Sequence, residues 1–276
     1  MRFGINGTPD HRTPEEWGDR LAEMGFNAAA FPVNYQAPVH LIDGYVKAAE
    51  ERDIMIAEVG VWKSPFSSDA EKAKEAAVFC EEQFRLADYV KAKCCVNVSG
   101  AAGETWYGCY PENFTEELYQ KNVEFIQALC DKVKPRHTFY TLEPMQWMAP
   151  DSPEQYLRLL KDVDRERFAV HMDLTNFIKD PYTYTHKKEL IEKSFRLLGA
   201  QTKSCHLKDC LLEDGTTVVI REVLMGEGTM EVAEYLDAIA GLNGEIPVLL
   251  EHLPDMHAYQ KAAEQVRAIY PPLRRR

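Results

Sequence analysis

No run of about eighteen apolar residues, the length a helix needs to cross a bilayer, occurs anywhere in the 276-residue chain. The opening residues, MRFGINGTPDHRT, lack the basic start, apolar stretch and small-residue cleavage site of a secretory leader. They read instead as a first strand. Both absences lead to the expectation of a cytoplasmic protein with no membrane partner. Basic residues are in deficit: 32 Lys and Arg against 44 Asp and Glu leave a net charge of -12. Such a surface repels phosphate backbones, so nucleic acid is not an expected partner. The one basic cluster, Arg274, Arg275 and Arg276, reads as a solvated tail. None of the seven cysteines forms a CxxC pair, which leaves reduced, mostly packed thiols as the expectation. A glycine-rich dinucleotide fingerprint is missing too, because Gly4-Ile5-Asn6-Gly7 lacks the rest of the pattern. No linker or low-complexity segment interrupts the chain, and residues 1–276 read as one domain.

What is present is a regular alternation of short apolar runs with stretches of helical periodicity. Strands are expected at Arg2 to Ile5, Asn27 to Phe31, Ile54 to Val59, Cys94 to Val98, the run opening at Thr138, Phe168 to Asp173, Ser204 to Leu207 and Pro247 to Leu250. Helices are expected between and after them. Two start at Thr13-Pro14-Glu15-Glu16 and Ser152-Pro153-Glu154-Gln155, each combining an N-cap, a Pro at the first helical position and the acidic or amide residue of a capping box. Eight strands alternating with eight helices imply parallel strands joined by crossovers. Without the dinucleotide fingerprint, they close more naturally into an α/β (β/α)8 TIM barrel than into an open sheet.

Four of the last strands end on a residue that can ligate a metal: Glu143 after TFYTL, Asp173 in FAVHMD, His206 in SCHLKD and Glu251 in PVLLEH. In a barrel of this kind the chemistry sits at the carboxyl ends of the strands, and neighbouring strands let these side chains converge. Singly, each would read as a helix cap, a loop residue or a structural His. Three carboxylates brought together cannot all stay ionised unaided, and a divalent cation resolves the conflict. Three carboxylates and one imidazole form an oxygen-rich set that suits Mn2+ first, with Mg2+, Co2+ or Zn2+ also admissible. Period-2 alternation requires that His171 face the same way as Asp173, and Thr141 the same way as Glu143. Glu58, His171, Asn176, Lys208 and Asp209 are candidates to bind a substrate's polar groups or orient ligands. Asn6, Trp62, Trp106 and Trp147 are candidates for the wall against which a substrate lies.

The segments AEVGVW, TLEPM, HMDLTN, SCHLKD, MGEG and LLEH, spread from Arg2 to about Tyr270, resemble the sugar phosphate isomerase/epimerase family of xylose isomerase-like TIM barrels. The resemblance implies that Glu143, Asp173, His206 and Glu251 are metal ligands. It also implies a sugar or other polyol as the small-molecule partner and proton transfer beside a carbonyl through a metal-stabilised enediolate. Glu143 and Glu251 would then be the catalytic pair. Dimers are common in the family, so a homo-oligomer is compatible with it. Ketose 3-epimerases usually carry a Glu, a His and an Arg where this chain has Ala149, Asn176 and Leu212, which leaves that substrate class open. Gly226-Glu227-Gly228 places a carboxylate where backbone N–H groups might hold a phosphate. The same site would support dehydration of an inosose or keto sugar as an alternative. A hydrolase of the endonuclease IV branch would need additional His ligands, and a barrel that binds metal without turnover is the remaining reading.

Overall fold

A computed structural model describes residues 1–273, and the three terminal arginines with their expected solvated tail lie outside the described residues. In chain order the elements are β1 (Arg2–Ile5), α1 (Pro14–Glu23), β2 (Ala28–Ala30), α2 (Val39–Glu51), β3 (Met55–Gly60), α3 (Ala70–Tyr89), β4 (Cys94–Asn97), α4 (Glu116–Val133), β5 (Tyr140–Leu142) and α5 (Pro153–Val163). They continue with β6 (Phe168–Asp173), α6 (Pro181–Thr185), α7 (Lys187–Leu198), β7 (Thr202–Leu207), β8 (Asp209–Leu212), β9 (Ile220–Val223), α8 (Val232–Ala240), β10 (Pro247–Leu250) and α9 (Met256–Ile269). Eight strands close in the order β1-β10-β7-β6-β5-β4-β3-β2, each pair parallel. The expected (β/α)8 barrel is therefore the architecture found.

Pleat alternation sorts each strand's side chains between the two layers. Residues such as Ile5, Tyr140, Leu142, Val170, Met172, Cys205 and Leu250 face the helices and form the main core. The barrel axis receives smaller or polar groups, with Ala28, Ala57 and Leu249 in one layer. Gly4 is required there, because a Cβ at that position would sit 1.8 Å from the Ala28 carbonyl oxygen. The buried Tyr156 hydroxyl ties β5 to β6, accepting from Leu142 N at 3.0 Å and donating to its carbonyl at 2.7 Å.

Thr13 and Ser152 cap their helices as expected, accepting from Glu16 N and Gln155 N. The reciprocal half of each expected capping box is displaced by one residue. Glu16 accepts from Arg12 N and Gln155 from Asp151 N, the amides that precede the caps. Six cysteines are buried and Cys109 is exposed, all as free thiols. Among the described residues no helix is long and apolar enough to cross a membrane.

Two elements depart from the expected alternation. The short helix α6 adds a fifth-turn detour before α7. After β7 the chain forms an antiparallel hairpin, β8 with β9, that stands over the barrel mouth. Its signal was in the sequence: Asp214-Gly215 is a hairpin turn dipeptide, followed by the β-branched run Thr216 to Val219.

Candidate functional site

Glu143, Asp173, His206 and Glu251 come from the ends of β5, β6, β7 and β10, four consecutive barrel strands. One ligand atom from each lies within 4.8 Å of every other. His206 Nδ1 is 2.9 Å from Glu251 Oε2, 3.4 Å from Glu143 Oε1 and 3.8 Å from Asp173 Oδ2. All four residues are buried, His206 and Asp173 almost completely. Asp173 Oδ2, His206 Nδ1 and Glu251 Oε2 are buried and make no hydrogen bond of acceptable angle, and the two carboxylate oxygens face the Lys208 ammonium at 2.7 and 2.6 Å. Buried polar atoms outside any hydrogen bond are rare, and these three are the natural contacts for a bound ion. Three inward lone pairs from two carboxylates and an imidazole, with Glu143 beside them, fit a divalent cation.

His171 faces the axis with Asp173, as the alternation requires. Below the four donors lies a second polar layer, which fixes the His206 ring. Glu58 Oε1 is 3.1 Å from His206 Nε2, and Asn6 Nδ2 donates to Glu58 Oε1 at 2.9 Å and to Glu251 Oε1 at 3.1 Å. A proton on Nε2 shared with Glu58 leaves the Nδ1 lone pair facing the carboxylates, the arrangement that orients metal-binding imidazoles. Glu58 turns inward although Ala57 before it also does, because the β2–β3 register shifts between Ala29 and Ala30. His171 Nδ1 meets Ser204 Oγ at 2.5 Å and Glu58 Oε2 at 3.6 Å. Glu58 and His171 are fully buried and do not line the cavity above, which places them beside the four donors rather than within reach of a molecule in the cavity.

Lys208, a candidate to bind a substrate or to orient ligands, has its ammonium buried among the donors. Nζ lies 2.6 Å from Glu251 Oε2, 2.7 Å from Asp173 Oδ2 and 3.3 Å from Glu143 Oε1. The carboxylates expected to need a divalent cation are balanced in part by the chain itself, which supplies the Lys208 ammonium. Burial would raise the Glu143 carboxyl, but Lys208 and His206 outweigh it and hold it well below the usual carboxylate range. Burial would lower His206, but Glu251, Glu58 and Glu143 around it hold it well above the usual imidazole range. A cation arriving at Nδ1 therefore displaces a proton.

His171 behaves oppositely. Burial first, and the charge of His206 second, push it down to about 4. Its ordinary value is about 6.5, so between the two the unfolded chain binds a proton that the folded chain does not. Stability thus rises with pH through this window and is lost as pH falls. The displacement is worth about 3 kcal/mol. In the presence of chelator, His171→Gln is expected to flatten that part of the acid loss when denaturant unfolding at pH 7 is compared with pH 4.5.

Above the donors a cavity of about 670 Å³ opens at the barrel mouth. Of the four donors only Glu143 and Glu251 line it, together with the expected Asn6, Asn176, Trp62, Trp106 and Trp147. Asn176 Nδ2 donates to Glu143 Oε1 at 3.1 Å, and Trp62 Nε1 donates to Glu143 Oε2 at 3.0 Å. Trp62 is thus more than an apolar wall. Its backbone sits at φ 44°, a region costly for a bulky residue. Sequence reasoning missed Tyr259, and it missed Glu222 on β9, which accepts from His252 Nδ1 at 2.7 Å and approaches Lys208 Nζ at 3.6 Å.

Asp209, the neighbour of Lys208, faces away from the cavity. Its carboxylate accepts from Cys210 N and Met230 N at 2.9 Å and from Gly226 N and Gly228 N at 3.0 Å. A Cβ at Gly228 would lie 2.2 Å from Asp209 Oδ1, so this close approach needs glycine. The backbone N–H groups of MGEG, which might have held a phosphate, are filled by the protein's own carboxylate. Asp209→Asn turns an NH2 toward two buried donors and is expected to cost about 3 kcal/mol in denaturant unfolding.

A closed parallel barrel with side chains able to ligate a metal at the carboxyl ends of its strands defines the class as an α/β barrel with a metal-capable mouth. The xylose isomerase-like TIM barrel family matches residues 19–269, and the chain belongs to that family. No curated protein matches it. Among solved structures it is similar to D-psicose 3-epimerase with D-tagatose from Clostridium cellulolyticum H10, with a TM-score of 0.72 at 14% identity over 99% of both chains. It is also similar to the 3-keto-D-glucoside 4-epimerase of E. coli, with a TM-score of 0.67 at 12% identity over 97% of this chain and 99% of that one. A third is a xylose isomerase-like TIM barrel protein from Mycobacterium smegmatis in complex with magnesium, with a TM-score of 0.69 at 14% identity over 99% and 97%.

Proposed function

We propose that the chain is a divalent-metal-dependent isomerase or epimerase of a neutral keto sugar. The observation that carries this reading is the division of labour among the four donors. Asp173 and His206 are closed off beneath, while Glu143 and Glu251 reach the cavity from the two outer strands of the set. They are the groups that can both hold an ion and touch a substrate.

The ion, with Mn2+ the first choice for this oxygen-rich set, would polarise a ketone and an adjacent hydroxyl and take up the negative charge that builds as a C–H proton leaves. Glu143 Oε2, on the side of the carboxylate held by Trp62, accepts that proton. Glu251, from the far side of the set, delivers a proton to the opposite face, and the carbon is inverted. Delivery to the neighbouring carbon gives isomerisation instead. Asn6 and Asn176 hold the two glutamates in place. Similar proteins bear names of sugar epimerases, which supports the reading, and so does the resemblance of TLEPM and LLEH to the family's ligand segments.

The test is incubation of the Mn2+-loaded protein with ketoses, inososes and keto-glycosides in D2O, followed by NMR. Deuterium at the carbon beside the carbonyl of recovered sugar is expected. Absence of exchange on every member of the panel would overturn the proposal, and loss of water without exchange into product would favour the dehydratase.

A further inference from the structure

The cavity over the glutamates is divided into two chemical halves, and one of them has no use for a bare monosaccharide. Toward β1, β6 and β10 its wall is mainly polar, with Asn6, Asn176, Glu251, Glu143 at the end of β5 and, from the hairpin, Glu222, beside Ile220 and Tyr259. Toward the loops after β4 and β5, where Gln146 turns its amide to the Ile178 carbonyl at 2.6 Å, it is mainly apolar and aromatic, with Val98, Trp106, Met145 and Trp147. These four belong to a separate apolar cluster with Ala101 and Met148, outside the main core. The wall is built rather than draped: Trp147 Nε1 donates to the Tyr107 carbonyl at 2.8 Å, Asn113 Nδ2 donates to the Trp147 carbonyl at 3.2 Å, and Tyr107 packs edge-on to Trp106 at 5.2 Å. Both indoles stay partly exposed to the cavity.

Size and charge narrow the occupant. A hexose displaces roughly six waters, about 180 Å³, and would fill about a quarter of the 670 Å³. Cavities of this size ordinarily enclose ligands of more than one ring. The groups that could hold a phosphate here are already paired among the described residues. The MGEG amides are taken by Asp209, the Lys208 ammonium is enclosed by carboxylates, His252 is paired with Glu222, and the Arg221 guanidinium at the rim is paired with Glu213.

We infer that the site takes a neutral glycoside, its sugar ring over Glu143 and Glu251 and a flat apolar aglycone against Trp106 and Trp147. This rests on the sugar reading above for the placement of the ring, and it adds the class of substituent. The aglycone half supplies binding and register, and the polar half supplies the chemistry.

The test is titration calorimetry on the full, Mn2+-loaded chain with 4-nitrophenyl glucoside (both anomers), methyl glucoside, glucose and glucose 6-phosphate. At least one nitrophenyl anomer is expected to bind about tenfold or more tightly than methyl glucoside, with glucose 6-phosphate the weakest. Trp106→Ala and Trp147→Ala are each expected to remove most of that advantage, read as the ratio of nitrophenyl to methyl glucoside affinity, in protein that still takes up Mn2+, a control that a misfolded variant would fail. Equal affinity for methyl and nitrophenyl glucosides, an advantage that survives both substitutions, tighter binding of the phosphate, or no binding of any probe would overturn the inference. Deuterium exchange on a free keto sugar together with indifference to the aglycone would discard this inference and leave the proposed reaction standing. A Trp-dependent preference without exchange would do the reverse.

Discussion

Glu143→Gln is expected to stop hydrogen exchange beside the carbonyl, lowering kcat by about two to four orders of magnitude, while the protein still takes up its divalent ion. The reason lies in how the carboxylate is held. Oε1 faces two donors, Asn176 Nδ2 and Lys208 Nζ, whereas Oε2 faces one, Trp62 Nε1. A glutamine amide therefore keeps its oxygen on the Oε1 side, toward the other donor atoms, and turns its NH2 to the side where the proton was to be accepted. Ion binding loses a charge but keeps an oxygen, and proton transfer loses its acceptor. NMR-detected exchange and equilibrium metal titration on the same preparation separate the two. Full exchange in this variant would remove Glu143 as the base.

Lys208→Met should give the largest change in stability, and one that metal reverses. With Lys208 present, a bound divalent ion and the ammonium together match the three charges of Glu143, Asp173 and Glu251. Without either, the three buried carboxylates keep only the His206 imidazolium among them, and breaking a buried pair costs about 3–5 kcal/mol. At about 2–4 °C per kcal/mol for a chain of this size, the metal-free variant should melt roughly 6–20 °C below the parent. Mn2+ should restore most of the difference, and it should bind the variant more tightly because no ammonium competes for Asp173 and Glu251. Calorimetric scans with chelator and with Mn2+ check this. Equal melting points in chelator would show that Lys208 does not balance the cluster.

Much of this was legible in the sequence because barrel strands are short and their ends are chemically marked. FAVHMD and PVLL fall within the bounds of β6 and β10, and Glu143, Asp173, His206 and Glu251 follow from the place where each apolar run stops. What was not legible depends on contacts between distant segments. Glu58 turns inward through a register shift against β2, which no local pattern records. Lys208 lies two residues after His206 and so shares its face, but only the gathered carboxylates reveal that its charge is enclosed rather than offered to a substrate. Asp209 reads as a polar companion of Lys208 until the chain brings MGEG back onto it. The hairpin was a different kind of omission, since Asp214-Gly215 and the β-branched run after it announce the turn.

The most direct test of the central claim is an anomalous difference map from a crystal soaked in Mn2+. One strong peak is predicted among Glu143, Asp173, His206 and Glu251, with bonds to His206 Nδ1 and to an oxygen of each carboxylate. No peak there, or a peak held instead by Glu58 and His171, would contradict the account.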